Sequence, residues 1–228
     1  MVLWGIYGDL LAEKFHLTSV LRSIIFGFLA SLFIFSLNSN LPLFIVSLMV
    51  IFLERITTEI YKALWRTESQ TKYVIPSDWN FDIPQYARRF LAISLEVSLL
   101  SLIVFFDVQF NKITGAILAG SLVALGGMLK DAPHEGFYLR KFFRSPIVSI
   151  FIGFFLIYFY PHINGKYYLM SLFGMERVIC ELYKKILNGR IPGKFKIKKL
   201  SSRWKSFRPF ILPFYFIDLV SLLSLALL

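Results

Sequence analysis

Two stretches of the sequence carry the same pattern of charged residues: ERITTEIYK at Glu54–Lys62 and ERVICELYK at Glu176–Lys184. Each stretch follows an apolar segment, and the second begins 122 positions after the first. Charged residues are scarce in such an apolar chain, so coincident charged positions are more informative than coincident apolar ones. The pair therefore raises the hypothesis that the whole chain is a duplication.

Composition indicates the solvent in which this chain folds. Its 228 residues are 57% hydrophobic and include 25 Phe, and the mean hydropathy of +0.65 is too high for a soluble domain of this length. A helix needs about 20 mainly apolar residues to cross a bilayer. The sequence predicts an all-α fold, a polytopic membrane helical bundle with about seven transmembrane helices. The candidate spans are residues 18–37, 41–60, 90–106, 113–129, 145–161, 165–182 and 209–228.

The distribution of Lys and Arg predicts the membrane orientation. With these seven spans, 22 of the 25 basic residues fall in loops on one face, and the loops of the other face hold only Lys112 and Lys166. Because positive charge marks the cytoplasmic side, we expect an integral protein of a plasma or inner membrane, with its charged loops in the cytoplasm. The net charge of +11 then reflects topology and contact with anionic headgroups. Membrane lipids, and not nucleic acid, are the predicted partners. The basic loops are residues 1–17, 54–89, 130–144 and 176–208.

Shifting the chain against itself by 122 positions tests the duplication. The matching pairs are Asp9 with Asp131, Glu13 with Glu135, Arg22 with Arg144, Ser23 with Ser145, Glu54 with Glu176, Glu59 with Glu181, Lys62 with Lys184, Lys72 with Lys194 and Glu96 with Asp218. An even number of spans separates the copies, so the halves are predicted to have the same orientation. The predicted organisation is a first repeat at 1–110, a linker helix at 111–129 and a second repeat at 130–228. Each repeat would contribute three transmembrane helices to one integrated membrane domain.

The repeated charged segments are predicted to meet at one pseudo-symmetric cytoplasmic mouth. Carboxylates there would bind a phosphorylated headgroup through Mg²⁺, and Lys and Arg would bind it directly. The candidate catalytic residues are Glu59, Glu181, Asp131 and Glu135. The candidate phosphate-binding residues are Arg55, Lys62, Arg66, Lys72, Arg144, Arg177, Lys184 and Lys194. The alternative hypothesis is that Arg55, Glu59 and Lys62, which share a helix face, form an ion-pair ladder that only stabilises the helix ends.

Two further acids, Glu96 and Asp218, lie within apolar segments. An acid in such surroundings is costly unless it is paired or protonated. Each could be a neutral acid that is hydrogen-bonded to a neighbouring helix, or part of a proton relay through the membrane. Both hypotheses stay open from the sequence.

The run TEIYKALWRTESQTKYVIPS at Thr58–Ser77 resembles the first signature of the UbiA-type intramembrane prenyltransferases, an N-D-x-x-D-x-x-x-D helix end followed by R-P-x-P-S. In this alignment Glu59 takes the position of the first Asp, whereas Lys62 and Arg66 take the positions of the next two. KDAPHEGF at Lys130–Phe137 is similar to the second signature of the family, although it follows the fourth predicted span instead of the sixth. By topology, ERVICELYK is the counterpart after the sixth span.

The resemblance implies a helical bundle with a lipid-facing cavity, an isoprenoid or other lipid (di)phosphate as substrate, Mg²⁺ as cofactor and prenyl transfer as the reaction. Lys62 and Arg66 would remove metal ligands from that site and leave a cationic one, so the resemblance leaves the enzyme class undecided. Two other function classes also stay open. One is a transporter or channel built from parallel 3+1+3 repeats, and the other is a non-catalytic subunit of a membrane complex.

Overall fold

The computed structural model describes residues 17–64, 85–105, 111–135 and 139–182, together with positions 213, 216, 217, 220–222, 224 and 225. These residues form six α-helices and parts of a helical C-terminal segment. The helices are α1 (Leu17–Leu37), α2 (Leu43–Leu64), α3 (Gln85–Phe105), α4 (Lys112–Glu135), α5 (Leu139–Phe159) and α6 (Gly165–Leu182). The prediction of an all-α fold is confirmed over these ranges, which contain no strand.

Polar residues determine where two of the helices begin. Asn111 and Asn164 precede α4 and α6. The Oδ1 atom of each accepts a hydrogen bond from the backbone N–H two residues later, with N–O distances of 3.0 and 3.1 Å. A side-chain oxygen in this position satisfies one of the N–H groups that a helix start leaves without an intrahelical partner. An asparagine placed just before an apolar run therefore ends the loop and starts the helix.

The helix boundaries repeat along the chain. α5 begins and ends 122 positions after α1, and α6 begins 122 positions after α2. The ends of α1 and α5 correspond in detail: the Asn38 N–H donates to the Ile34 carbonyl at 3.1 Å, and the Tyr160 N–H donates to the Leu156 carbonyl at 2.9 Å. The helix boundaries therefore repeat at the same offset of 122 residues as the charged pairs in the sequence.

The short connections lie at one end of the bundle, which we call the loop end and define by residues 38–42 and 160–164. Phe44, at the start of α2, stacks on Tyr160 with ring centroids 5.9 Å apart. The Lys112 ammonium, at the start of α4, donates to the Pro161 carbonyl at 2.8 Å. The α1–α2 and α5–α6 hairpins therefore point in the same direction.

The centre of the bundle is the crossing of α2 and α6. Phe52 stacks on Phe173 with ring centroids 5.4 Å apart. A Cβ atom on Gly174 would lie 2.6 Å from the Leu48 carbonyl carbon and would overlap its oxygen, so the two backbones touch at this point. Lipid tails are as apolar as leucine, so helices in a membrane associate mainly through close packing, and a small residue at the contact permits it.

Helix α4 covers one face of α5 with small residues. Ala116 and Ala119 of α4 are fully buried. A Cβ atom on Gly120 would lie 2.8 Å from Ser149 Oγ, and one on Gly153 would lie 3.1 Å from the Cβ of Ala116. Small side chains on both helices therefore allow α4 and α5 to pack closely.

The outer surface of the bundle is strongly apolar. Helix α1 exposes ten large hydrophobic side chains along most of its length: Leu17, Leu21, Ile24, Ile25, Phe28, Leu29, Leu32, Phe33, Phe35 and Leu37. Within the described ranges, one segment, Val20–Leu37 of α1, is long and apolar enough to cross a membrane by its length and composition. This surface is unsuited to water and is consistent with membrane association.

Two sequence expectations need correction. Helix α4 was expected to end near residue 129, and the motif KDAPHEGF was expected in a loop, but α4 continues to Glu135 and carries both Asp131 and Glu135. Helix α5 then starts at Leu139, so the polar segment between the two helices is much shorter than the predicted loop at 130–144. The predicted span covers only the apolar segment, whereas Leu129, Lys130 and Ala132 have high helix propensity and continue the helix beyond it.

Candidate functional site

The first polar contact inside the bundle joins α1 to α2. Ser23 on α1 donates through its hydroxyl to Glu54 Oε1 on α2 at 2.9 Å. Thr58, one helical turn after Glu54, donates to the same oxygen at 3.2 Å. Positions i and i+4 lie on one helix face, so the sequence E-x3-T places the second donor beside the carboxylate.

The second polar contact joins α5 to α6 at the equivalent positions. Ser145 donates to Glu176 Oε1 at 2.8 Å, and the Cys180 thiol donates to the same oxygen at 3.0 Å. Each of these three residues follows its counterpart in the first contact by 122 positions. The thiol is a weaker donor than the threonine hydroxyl that it replaces.

The two contacts differ in burial. Glu176 is 7% exposed and Ser145 is 5% exposed, whereas Glu54 and Ser23 are both half-buried. A buried carboxylate needs hydrogen-bond partners because burial removes its hydration. We therefore attribute a mainly structural role to the second contact, and the first retains access to a ligand.

Four arginines accompany these contacts. Arg22 and Arg144 directly precede the two serines, and Arg55 and Arg177 directly follow the two glutamates. All four are half-buried, and the Nε atoms of Arg22, Arg144 and Arg177 are enclosed by protein atoms. Arginine is suited to phosphate because its planar guanidinium can donate two parallel hydrogen bonds. Each half thus contributes an R-S pair from one helix and an E-R pair from the next.

The two contacts lie at the same end of the bundle, which we call the glutamate end and define by Glu54 and Glu176. Each glutamate stands 11 positions after the start of its helix at the loop end, or about 16 Å at 1.5 Å per residue. Val178, two positions after Glu176, packs against Ile51, three positions before Glu54. Hence the two contacts are neighbours across the α2–α6 crossing.

A groove begins at the first contact and runs along α1 and α2. Its volume is about 490 Å³. Ser23 and Glu54 lie at one end of the groove, and Phe35 and Leu43 lie at the other. The remaining lining residues are Ile24, Gly27, Ser31, Val46, Ser47, Val50, Ile51 and Leu225. The groove is therefore an apolar channel with a hydrogen-bonded acid at one end.

Three of the predicted phosphate-binding residues directly adjoin these contacts along the helices, and their role stays a prediction: Arg55, Arg144 and Arg177. The predicted residues Glu59, Lys62, Glu96, Asp131, Glu135 and Glu181 lie on helices, but their side chains are outside the described part of the chain. Arg66, Lys72, Lys184, Lys194 and Asp218 lie outside the described residues. The roles assigned to these eleven residues stay predictions.

The glutamates and serines that meet were not among the predicted site residues. The predicted acids, Glu59 and Glu181, lie five positions later, where Glu59 shares a helix face with Arg55 and Lys62 and takes the position of the first Asp of the family signature. The signal was nevertheless present: the separation between R-S and E-R is the same in both halves, and each serine precedes its glutamate by 31 positions.

The described side chains do not suit Mg²⁺. This ion prefers near-octahedral coordination by several oxygen ligands, whereas Glu54 and Glu176 each use Oε1 to accept two hydrogen bonds and are each followed by an arginine. Over the ranges that the structure describes, no group of three or more His, Cys, Asp and Glu residues could hold a metal ion. The side chains predicted to hold Mg²⁺, those of Glu59, Asp131, Glu135 and Glu181, lie outside this description, so the Mg²⁺ site stays a prediction.

Comparison of the chain with protein families, curated proteins and solved structures found no matching family model, no matching curated protein and no matching solved structure. The function is therefore argued from the chemistry of the glutamate end.

Proposed function

We propose that this chain is an integral membrane protein that binds a lipid phosphate with the arginines of the glutamate end. The observation that carries the proposal is the pair of Ser–Glu contacts at one end of the bundle, Ser23–Glu54 and Ser145–Glu176, each flanked by two arginines. The bound group would be the phosphate or diphosphate of an isoprenoid or other lipid.

We further propose that the protein consists of two parallel three-helix repeats joined by α4, within a polytopic bundle of about seven transmembrane helices. Three observations support this organisation. Helix boundaries recur at an offset of 122, the two Ser–Glu contacts recur at the same offset, and both hairpins turn at the loop end. Because the helices expose large apolar side chains, a bilayer is the environment that stabilises them.

The glutamates and the arginines have different roles in this proposal. Each glutamate accepts hydrogen bonds from a serine of the adjacent helix and from a hydroxyl or thiol one turn later on its own helix. The bonds from the serines position α1 on α2 and α5 on α6. The arginines that adjoin them supply positive charge and directional donors for the phosphate. The resemblance to UbiA-type prenyltransferases adds Glu59, Lys62 and their counterparts Glu181 and Lys184 to the same mouth. Lys62 in an aspartate position favours binding without a metal, so prenyl transfer is the less favoured activity.

Binding of farnesyl diphosphate to the purified protein tests the proposal. We expect Arg22→Gln and Arg55→Gln to weaken binding roughly tenfold or more, because one hydrogen bond to a charged group contributes about 1.5–3 kcal/mol. Lys166→Gln is the matched control, since Lys166 is an exposed cation at the loop end. Melting temperatures of the same variants would separate lost binding from lost folding.

Mg²⁺ provides a second comparison in the same experiment. A cationic site binds equally well with Mg²⁺ and with EDTA, whereas a metal site loses affinity in EDTA. The proposal is wrong if the parent protein does not bind the lipid phosphate, or if both arginine variants bind it as the parent does.

A transporter is the second candidate, favoured by the parallel hairpins, because parallel repeats that rock against each other are a known transporter plan. Flux of a lipid phosphate or ion across proteoliposomes, with Glu54→Gln as the impaired variant, would favour it. Absence of both binding and flux would leave the non-catalytic subunit of a membrane complex.

A further inference from the structure

We propose that the α1–α2 groove holds the single hydrocarbon chain of a lipid phosphate, and that the second half of the molecule has lost the equivalent site. The inference rests on the proposed function, since the phosphate would lie at the glutamate end. It adds where the chain of the lipid lies and how many lipids bind.

The dimensions of the groove accommodate one hydrocarbon chain. The groove extends along α2 from Leu43 to Glu54, a length of about 16 Å at 1.5 Å per residue. Dividing the volume of about 490 Å³ by this length gives a mean cross-section of about 30 Å². One hydrocarbon chain therefore fits within the groove along its length.

The lining of the groove is suited to a chain. Gly27, in the middle of α1, has no other atom within 4 Å of the position that a Cβ would occupy. Ser31 directs its hydroxyl to the Gly27 carbonyl of its own helix at 2.8 Å, so it presents little polarity to a ligand. Leu225 of the C-terminal segment completes the wall.

Charge defines the orientation of the lipid. Glu54 and Ser23 mark one end of the groove, and Arg22 and Arg55 are their immediate neighbours on α1 and α2. Both arginines keep part of their surface exposed. A lipid with its chain in the groove and its tail toward the loop end would place its anionic head at the end of the groove where α1 and α2 carry these two cations.

The second half has closed the equivalent groove. The counterpart of Gly27 is Ser149, which is fully buried and lies against Gly120 of α4. The counterpart of Val46 is Tyr168, whose hydroxyl would be 2.7 Å from a Cβ on Gly153. A linker helix and one tyrosine therefore occupy the space that remains open beside α1, so we expect one lipid per chain.

Native mass spectrometry with dodecyl phosphate tests this inference. Gly27→Leu and Ser31→Leu fill the groove without meeting a close neighbour at Gly27, and Ser36→Leu is the control, an equal addition at an exposed position of α1 outside the groove. We expect the parent and Ser36→Leu to bind one dodecyl phosphate. Both groove variants should bind it at least about tenfold more weakly, since displacing two methylene groups has roughly this effect.

Butyl phosphate, which has the same head and no long chain, separates the two proposals. The groove variants should bind it as the parent does, and Arg55→Gln should not. Dodecyl phosphate binding that survives in both groove variants but is lost in Arg55→Gln would overturn the groove and leave the phosphate site. A parent that binds no dodecyl phosphate would overturn both proposals. Two equivalent lipids per chain would overturn the closure of the second half.

Discussion

The contact between Gly174 and Leu48 predicts the largest single-methyl effect on stability. In Gly174→Ala the new methyl group would meet the backbone of α2, with the Leu48 carbonyl carbon at 2.6 Å and its Cα at 3.0 Å. A backbone cannot rotate away as a side chain does, so α2 and α6 must separate. Overpacking of this kind costs about 3 kcal/mol at the upper end of its usual range.

Alanine also has a higher helix propensity than glycine, which offsets this loss of stability by about 1 kcal/mol. The net loss of unfolding free energy is therefore about 2 kcal/mol. For a chain of 150–250 residues, each kcal/mol shifts the melting temperature by roughly 2–4 °C. We expect Gly174→Ala to melt roughly 4–8 °C below the parent in a thermal unfolding assay of the detergent-solubilised protein.

Gly27→Ala is the matched control for this measurement. A Cβ on Gly27 meets nothing within 4 Å, so only the propensity term acts, and the variant should melt at or slightly above the parent temperature. A Gly174→Ala variant that melts at the parent temperature or higher would show that α2 and α6 are not in backbone contact.

Three more outcomes follow from the structure. Ser145→Ala should lower the melting temperature more than Ser23→Ala, because the buried Glu176 cannot recover a lost donor from water whereas the half-buried Glu54 can; equal losses would contradict this difference in burial. Cys180, which is 4% exposed, should resist maleimide in the folded protein and react after denaturation, and rapid labelling of the native protein would place α6 elsewhere. Ser39→Cys and His162→Cys, both in exposed connections at the loop end and both in a Cys180→Ser background, should be labelled from the same side of a sealed vesicle; labelling from opposite sides would exclude parallel hairpins.

The sequence predicted much of the fold because its charged residues are few and recur in one register. The boundaries of α1 and α5, and the starts of α2 and α6, recur at the same offset of 122 as the charged pairs, although the predicted span at 145–161 begins six residues after the start of α5. The composition alone sufficed for the all-α class. The predicted spans erred where apolarity was used as the only guide, as at the end of α4, because helix propensity does not stop at the membrane boundary.

The candidate site was harder to predict, because it depends on which faces of two helices meet. Arg55, Arg144 and Arg177 are predicted from their charge, and their binding role stays a prediction. Ser23 and Glu54 meet because the connection at 38–42 sets how α1 and α2 are aligned along each other. The positions of the charged residues in the sequence do not give this alignment. The groove beside α1 could not be predicted either, because it stays open only when α4 packs against α5 and not against α1.

The close approach at Gly174 bears on how the proposed repeats could have diverged. The position equivalent to Gly174 in the first half is Phe52, so the proposed repeats are not interchangeable at the contact between them. Two copies of the first hairpin would bring a phenylalanine against each facing backbone, whereas two copies of the second would place a glycine there on both sides. A crossing with glycine on one helix and phenylalanine on the other therefore requires two different hairpins, which a single polypeptide can encode.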